Sequence, residues 1–168
     1  MRTRSSRSKS AGASACSDYT FRQRFRVPAE AAFRWCIDFT PEDWKRLGEK
    51  GTRKVTWLTG RTVLLDDSYP APKGSRVRKR RIVQIYPETR QWVSTHVSGP
   101  NLHSQFRYTI VEEGANASSI LFEGRELRWR GSALRAAAQR RLSRELRAAD
   151  SGLWRQFAAQ MERDLGRA

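Results

Sequence analysis

The stretch "GSRVRKRRIVQIYPETRQWVSTHV", residues 74–97, decides how this chain folds. It packs five basic residues into six positions (Arg76, Arg78, Lys79, Arg80, Arg81) and then turns apolar and β-branched at once. As a basic tract it is a polyanion patch; with period two it is half of a hairpin. Strand side chains alternate between two faces. Val77, Lys79, Arg81, Val83 and Ile85 therefore share one face, and Arg76, Arg78, Arg80 and Ile82 share the other. "YPETRQ" carries turn chemistry. A four-residue loop there sets Ile85 opposite Trp92, Val83 opposite Ser94 and Arg81 opposite His96. The greasier face, with Val77, Val83 and Ile85, is assigned inward.

Working outward, nearly everything from residue 53 to 128 reads as strand. "RKVTWLT" and "RTVLLDDSY" flank Gly60, and "NLHSQFRYTIVEEG" and "SSILFEGRELRW" flank "GANA", each a hairpin signal. Upstream, Tyr19, Phe21, Phe25 and Val27 alternate with Thr20, Arg22, Arg24 and Arg26, which predicts a half-exposed strand ended by Pro28. "AEAAFRWCID" predicts a short helix. "TPEDWKRLG" predicts a second, with Thr40 as N-cap, Pro41 at the first helical position and Gly48 at its end. Residues 131 to 166 read as helix. Leu134, Ala138, Leu142 and Leu146, then Leu153, Phe157, Met161 and Leu165, recur four apart. That spacing drifts around a 3.6-residue helix, so a break or kink is expected at Asp150-Ser151-Gly152. The aromatic-rich second half is expected to be the better buried. The fold class is α+β: one strand, two short helices, six strands, one long helix.

The totals frame this reading. A chain of 168 residues is long enough for one domain with a real core, and 38% hydrophobic residues argue against disorder. Residues 1–17, Ser/Arg-rich and aperiodic, are expected to be a disordered basic tail, with a single domain over 18–168. Cys16 and Cys36 make neither a disulfide framework nor a metal spacing. No apolar run approaches the roughly 20 residues of a membrane span. A cytoplasmic location is expected, with organellar import through the basic N-terminus as the alternative. The net charge of +16 attracts polyanions, yet 27 of the 33 basic residues are Arg, a bias that base composition alone also produces.

With "RVPAEAAFRWCIDF" the element order resembles the START-like, or SRPBCC, superfamily, which includes polyketide cyclase/dehydrase-like and lipid-transport proteins. Val27, Pro28, Ala29, Phe33, Ile37 and Asp38 stand where that family has its strand end, turn and first helix, and Trp44 stands where a "P-x-W" element follows. The resemblance covers roughly residues 18 to 166. It implies a helix-grip (Bet v 1/START-like) fold: a seven-stranded antiparallel curved sheet wrapped around the C-terminal helix and enclosing a cavity. Members bind lipids, sterols, polyketides or hormones, and a minority are enzymes. No shared catalytic motif comes with the fold.

Under that resemblance Trp57, Trp92, His96, Phe106, Tyr108, Trp154, Phe157 and Met161 are the candidate cavity lining; they equally suit an ordinary core. Lys79 or Arg81 falls near the cavity mouth, where an acidic headgroup can pair with it. The alternatives are a strand end emerging into water, or a bulge near Arg80 turning both outward. His96, Arg81 and Asp67 are the candidate catalytic groups. His96 also suits a structural hydrogen bond, and Asp66 and Asp67, on opposite faces, suit strand-end solvation. His103 is expected to point outward. No metal or cofactor site is expected, nor a glycine-rich phosphate loop.

Three functions compete. The first is a binding module for a hydrophobic or amphipathic small molecule or lipid. The second is a cyclase or dehydratase on the same fold. The third is a polyanion-surface protein for nucleic acid, ribosome or anionic membrane, acting through residues 2–9, residues 76–81 with Arg76, Arg78 and Arg80, and residues 125–147, read as a basic amphipathic helix with Arg140, Arg141 and Arg144. That last reading requires a contiguous basic face lacking acids.

Overall fold

The computed structural model describes residues 14–46, 50–129 and 134–166. β1 (Ser14–Phe25) leads into α1 (Ala29–Ile37) and the single-turn α2 (Asp43–Arg46). Then come β2 (Thr52–Thr59), β3 (Thr62–Pro70), β4 (Arg76–Tyr86), β5 (Gln91–Ser98), β6 (Gln105–Gly114), β7 (Ala117–Trp129) and α3 (Ala136–Leu165). The strands form one antiparallel sheet in the order β1-β7-β6-β5-β4-β3-β2.

The hairpin register follows the turn chemistry. Ile85 pairs with Trp92, Val83 with Ser94 and Arg81 with His96. Pro87–Thr89 form a 3-10 turn, and Arg90 closes it in the left-handed region at φ 48°. The assigned inner face of β4 is correct: Val83 and Ile85 are buried, whereas Arg76, Arg78 and Arg80 are exposed. A register shift does lie beside Arg80, but it inserts Val97 into β5 and leaves Lys79 and Arg81 facing inward.

α3 covers the concave face. Trp154 meets the rings of Phe25, Trp92 and Tyr108, with centroids 6.4, 6.4 and 5.8 Å apart. Phe122 stacks on Phe21 at 4.6 Å beneath them. In the second half of α3, Trp154, Ala158 and Met161 are buried; in the first half only Leu142 is.

Four expectations need correction. Strand β1 begins at Ser14, inside the expected tail, because its backbone pairs with β7 from Ser14–Trp129 onward and needs no apolar side chains to do so. Residues 1–13 lie outside the described residues. The helix α3 runs unbroken through 150–152. Asp150 accepts a hydrogen bond from the Tyr19 hydroxyl at 2.6 Å instead of capping, Ser151 donates back to the Ala148 carbonyl, and a mid-helix glycine costs only about 1 kcal/mol. α2 starts at Asp43, two residues past Pro41, and its expected end at Gly48 lies outside the described residues. There the Thr40 hydroxyl donates to the Asp43 carboxylate and so does not serve as the acceptor of an N-cap. His103 sits in the 99–104 loop at φ 69°, exposed, and not on β6.

Candidate functional site

The inner faces of the central strands change character along their length. On β3, Val63 and Leu65 give way to Asp67 and Tyr69; on β4, Ile85 and Val83 give way to Arg81 and Lys79; on β5, Trp92 and Ser94 give way to His96. The register aligns these changes, so one half of the concave face is apolar and the other charged. Between that face and α3 lies a cavity of about 340 Å³. Trp92, Tyr108, Phe122 and Trp154 wall its apolar part, with Trp92 stacked on Tyr108 at 4.8 Å and 6°.

Asp67 organises the charged half. Its side chain is 0% exposed, and its oxygens accept from Arg53 Nε at 2.7 Å, Arg53 Nη2 at 3.3 Å and Arg81 Nη2 at 2.8 Å. Trp44 Nε1 donates to the same carboxylate at 3.4 Å, and Arg53 also pairs with Asp43. Burial alone would raise the Asp67 carboxyl; Arg81 and Arg53 more than offset it and hold the group below its ordinary range. Trp44 reaches this place because Gly51 has no side chain: a Cβ there would sit 2.3 Å from the indole.

His96 is buried beside this cluster, edge-on to Phe106 at 5.2 Å, and its Nδ1 has no protein partner. Burial first, then the charges of Arg81 and Lys79, lower its pKa to about 3. His96 is therefore neutral throughout the physiological range. Its imidazole carbon shifts in NMR should stay flat between roughly pH 5 and 8, where an ordinary histidine titrates; a midpoint near 6.5 would contradict the desolvated site. Asp150 from α3 and Glu126 from β7 also line the cavity, and burial raises the Asp150 carboxyl.

No protein-family model matches this chain, and no curated protein matches it by sequence. Solved structures do. The Zhui aromatase/cyclase from Streptomyces sp. R1128 superposes with a TM-score of 0.71 at 9% identity, over 89% of this chain and 96% of its own. A START superfamily protein from Mycobacterium smegmatis gives 0.66 at 13% identity, over 87% and 97%. The fold is the helix-grip fold of START-like proteins. Norcoclaurine synthase from Thalictrum flavum, solved with dopamine and hydroxybenzaldehyde, shares this helix-grip architecture at a TM-score of 0.62 and 11% identity, over 98% and 94%. Identities this low speak to fold alone.

The helix-grip cavity gathers Arg81, Trp92, His96, Phe106, Tyr108, Trp154 and Phe157 from the expected lining, together with Asp67. Two expected residues stand elsewhere. Trp57 is 50% exposed on the edge strand β2, beside a register shift at Leu58, where α3 gives it no cover. Met161 is fully buried in the core and does not line the cavity. Asp67 is a buried ion-pair centre, which corrects the strand-end solvation reading. Arg53, Trp44, Phe122, Glu126 and Asp150 were missed. Among the described residues, no group of three His, Cys, Asp or Glu could hold a metal ion.

Acids are interspersed among the basic residues singled out on the surface. Arg78 and Arg80 share Asp66 at 3.1 and 2.9 Å, and Arg76 bonds Ser68. Arg140 and Arg144 line a surface hollow with Asp18, which itself pairs with Arg125 at 2.8 Å, and Arg141 lies 3.6 Å from Glu145. The contiguous acid-free face that polyanion binding requires is not formed by the described residues; residues 2–9 fall outside them. No helix among the described residues is long and apolar enough to cross a membrane.

Proposed function

We propose that the cavity binds a hydrophobic or amphipathic small molecule with an acidic end. The aligned change from apolar to charged along β3, β4 and β5 carries this reading, because it offers an aromatic bed for a greasy body and a cationic seat for its head. Arg81 supplies the seat. Its Nη2 is held by Asp67, while its Nε is buried without a protein partner, leaving a fixed, charged donor. About 340 Å³ suits a small ligand. Both cysteines are free thiols, in keeping with the reducing cytoplasm as the working location.

Titration with decanoate, read by tryptophan fluorescence, tests the proposal. Saturable quenching from Trp92 and Trp154 is expected, with decanol binding about tenfold more weakly for want of the charge-assisted hydrogen bond. Absence of saturation with either compound would refute the binding-site reading. Equal affinity would remove Arg81 as the headgroup partner.

A second reading, a cyclase or dehydratase, draws on one observation. Neutral His96 stands directly across from Arg81 within the cavity, its Nδ1 without a protein partner, a hydrogen-bonding imidazole beside a cationic clamp for a polarised carbonyl. Turnover of a bound polyketide-like substrate that is lost in His96→Phe would favour it.

A further inference from the structure

Among the described residues, Lys79 is the single lysine that lines the cavity. It lies on the inner face of β4, directly across from Asp67. Its stem is clamped by the loop after β5, where Gly99, at φ 96°, passes so close that a Cβ would fall 2.8 Å from the Lys79 Cβ. The Nζ sits 5.2 Å from the centroid of the Tyr69 ring. Among the described residues it has no carboxylate partner, because the oxygens of Asp67 are already taken by Arg53, Arg81 and Trp44. The charged groups that act on it are Arg81 on its own strand, Asp67 on β3, Arg53 on β2 and Asp150 on α3. Burial first, then Arg81, lower its pKa to about 8. About a tenth of the side chain is then free amine at neutral pH, against less than about a thousandth for an ordinary lysine.

We propose that the Lys79 amine condenses reversibly with the carbonyl of an aldehyde or ketone held in the cavity, forming an imine. This rests on the cavity being a ligand site. The nitrogen lone pair attacks the carbonyl carbon, the C=O π pair moves to oxygen, and a proton passes from nitrogen to that oxygen. The carbinolamine hydroxyl then takes up a proton and leaves as water with the C–O bonding pair, while the nitrogen lone pair forms the C=N bond and the nitrogen gives up its second proton. One water leaves, and nothing is oxidised or reduced.

Decanal with sodium cyanoborohydride at neutral pH, followed by peptide mapping, reads the reaction directly, since reduction fixes the imine as a stable N-decyl lysine. The chain has only six lysines. Labelling at Lys79 is expected at least about tenfold faster than at the exposed Lys45 and Lys54, and decanoate should suppress it. Lys79→Arg, which keeps size and charge, should lose the fast label while its circular dichroism is unchanged. Labelling at Lys79 no faster than at the exposed lysines, with decanoate still quenching tryptophan fluorescence, overturns the imine and leaves the binding site standing. If decanoate does not quench either, both readings fall.

Discussion

Asp67→Ala is expected to destabilise the protein by about 3–5 kcal/mol, the cost typical of stripping one partner from a buried ion pair. The carboxylate is fully buried and accepts from both Arg53 and Arg81. Without it Arg53 keeps Asp43, but Arg81, whose Nε is already unpartnered, loses its counter-charge altogether. For a chain of this size the change corresponds to a fall in Tm of roughly 10 °C. Asp67→Asn should rescue little, because what is lost is charge, not volume. A Tm within about 2 °C of the parent for both variants would mean that the arginines find water instead.

The pH dependence has a definite sign. Asp67 has a folded-state pKa below its unfolded value of about 3.9, so its stabilisation is present above that value and is lost as pH falls through the lower, folded one. The gap between parent and Asp67→Ala should accordingly narrow in strong acid. His96 acts in the same direction over a different window. Between about pH 6.5 and its folded value of about 3, only the unfolded chain takes up the imidazole proton, so stability falls as pH is lowered across that range. Thermal melts from neutral pH downward should show decline setting in at the histidine step, before the Asp67 carboxylate protonates.

Trp154→Ala is the second large effect, expected to cost about 3–5 kcal/mol. The indole is the main aromatic contact of α3 with the sheet: it meets Phe25, Trp92, Tyr108 and, on its own helix, Phe157 at 5.2 Å. Removing it opens a void on the aromatic wall that its neighbours cannot fill without leaving their own ring contacts. Chemical denaturation should show the loss, and Trp154→Phe should restore more than half of it. If alanine costs under about 1 kcal/mol, the grip resides in Leu142 and Met161 instead.

Local chemistry made much of this fold readable. Period-two alternation and the "PETR" turn were enough to place Arg81 opposite His96, because a short loop fixes register and register fixes faces. The same counting fails one hairpin away. Starting from Thr59 opposite Thr62, a strict count puts Asp67 across from Lys54. The irregularity at Leu58 shifts the register by one and brings Arg53 there instead, so the central ion pair depends on a bulge that no residue type announces. Asp150 was hidden differently. Asp-Ser-Gly has the composition of a helix cap, and only a tyrosine 131 residues away, meeting it through the tertiary fold, turns that aspartate into an interior hydrogen-bond acceptor. Sequence patterns report neighbours along the chain; the charged half of this cavity is built from residues that are neighbours only in space.

The pairing of β1 with β7 sets the order in which this protein can take shape as it is made. Every ladder contact of the first strand is to residues 118–129, so β1 and its three inward aromatics, Tyr19, Phe21 and Phe25, have no sheet to join until the chain has grown by about a hundred residues. At ordinary synthesis rates that wait is on the order of ten seconds. Meanwhile β2 to β6 can zip together hairpin by hairpin, with their greasy face open until α3, which follows every strand, emerges. The apolar strand face stays uncovered until then, and the cavity is complete only once the thirty residues of α3 have been made.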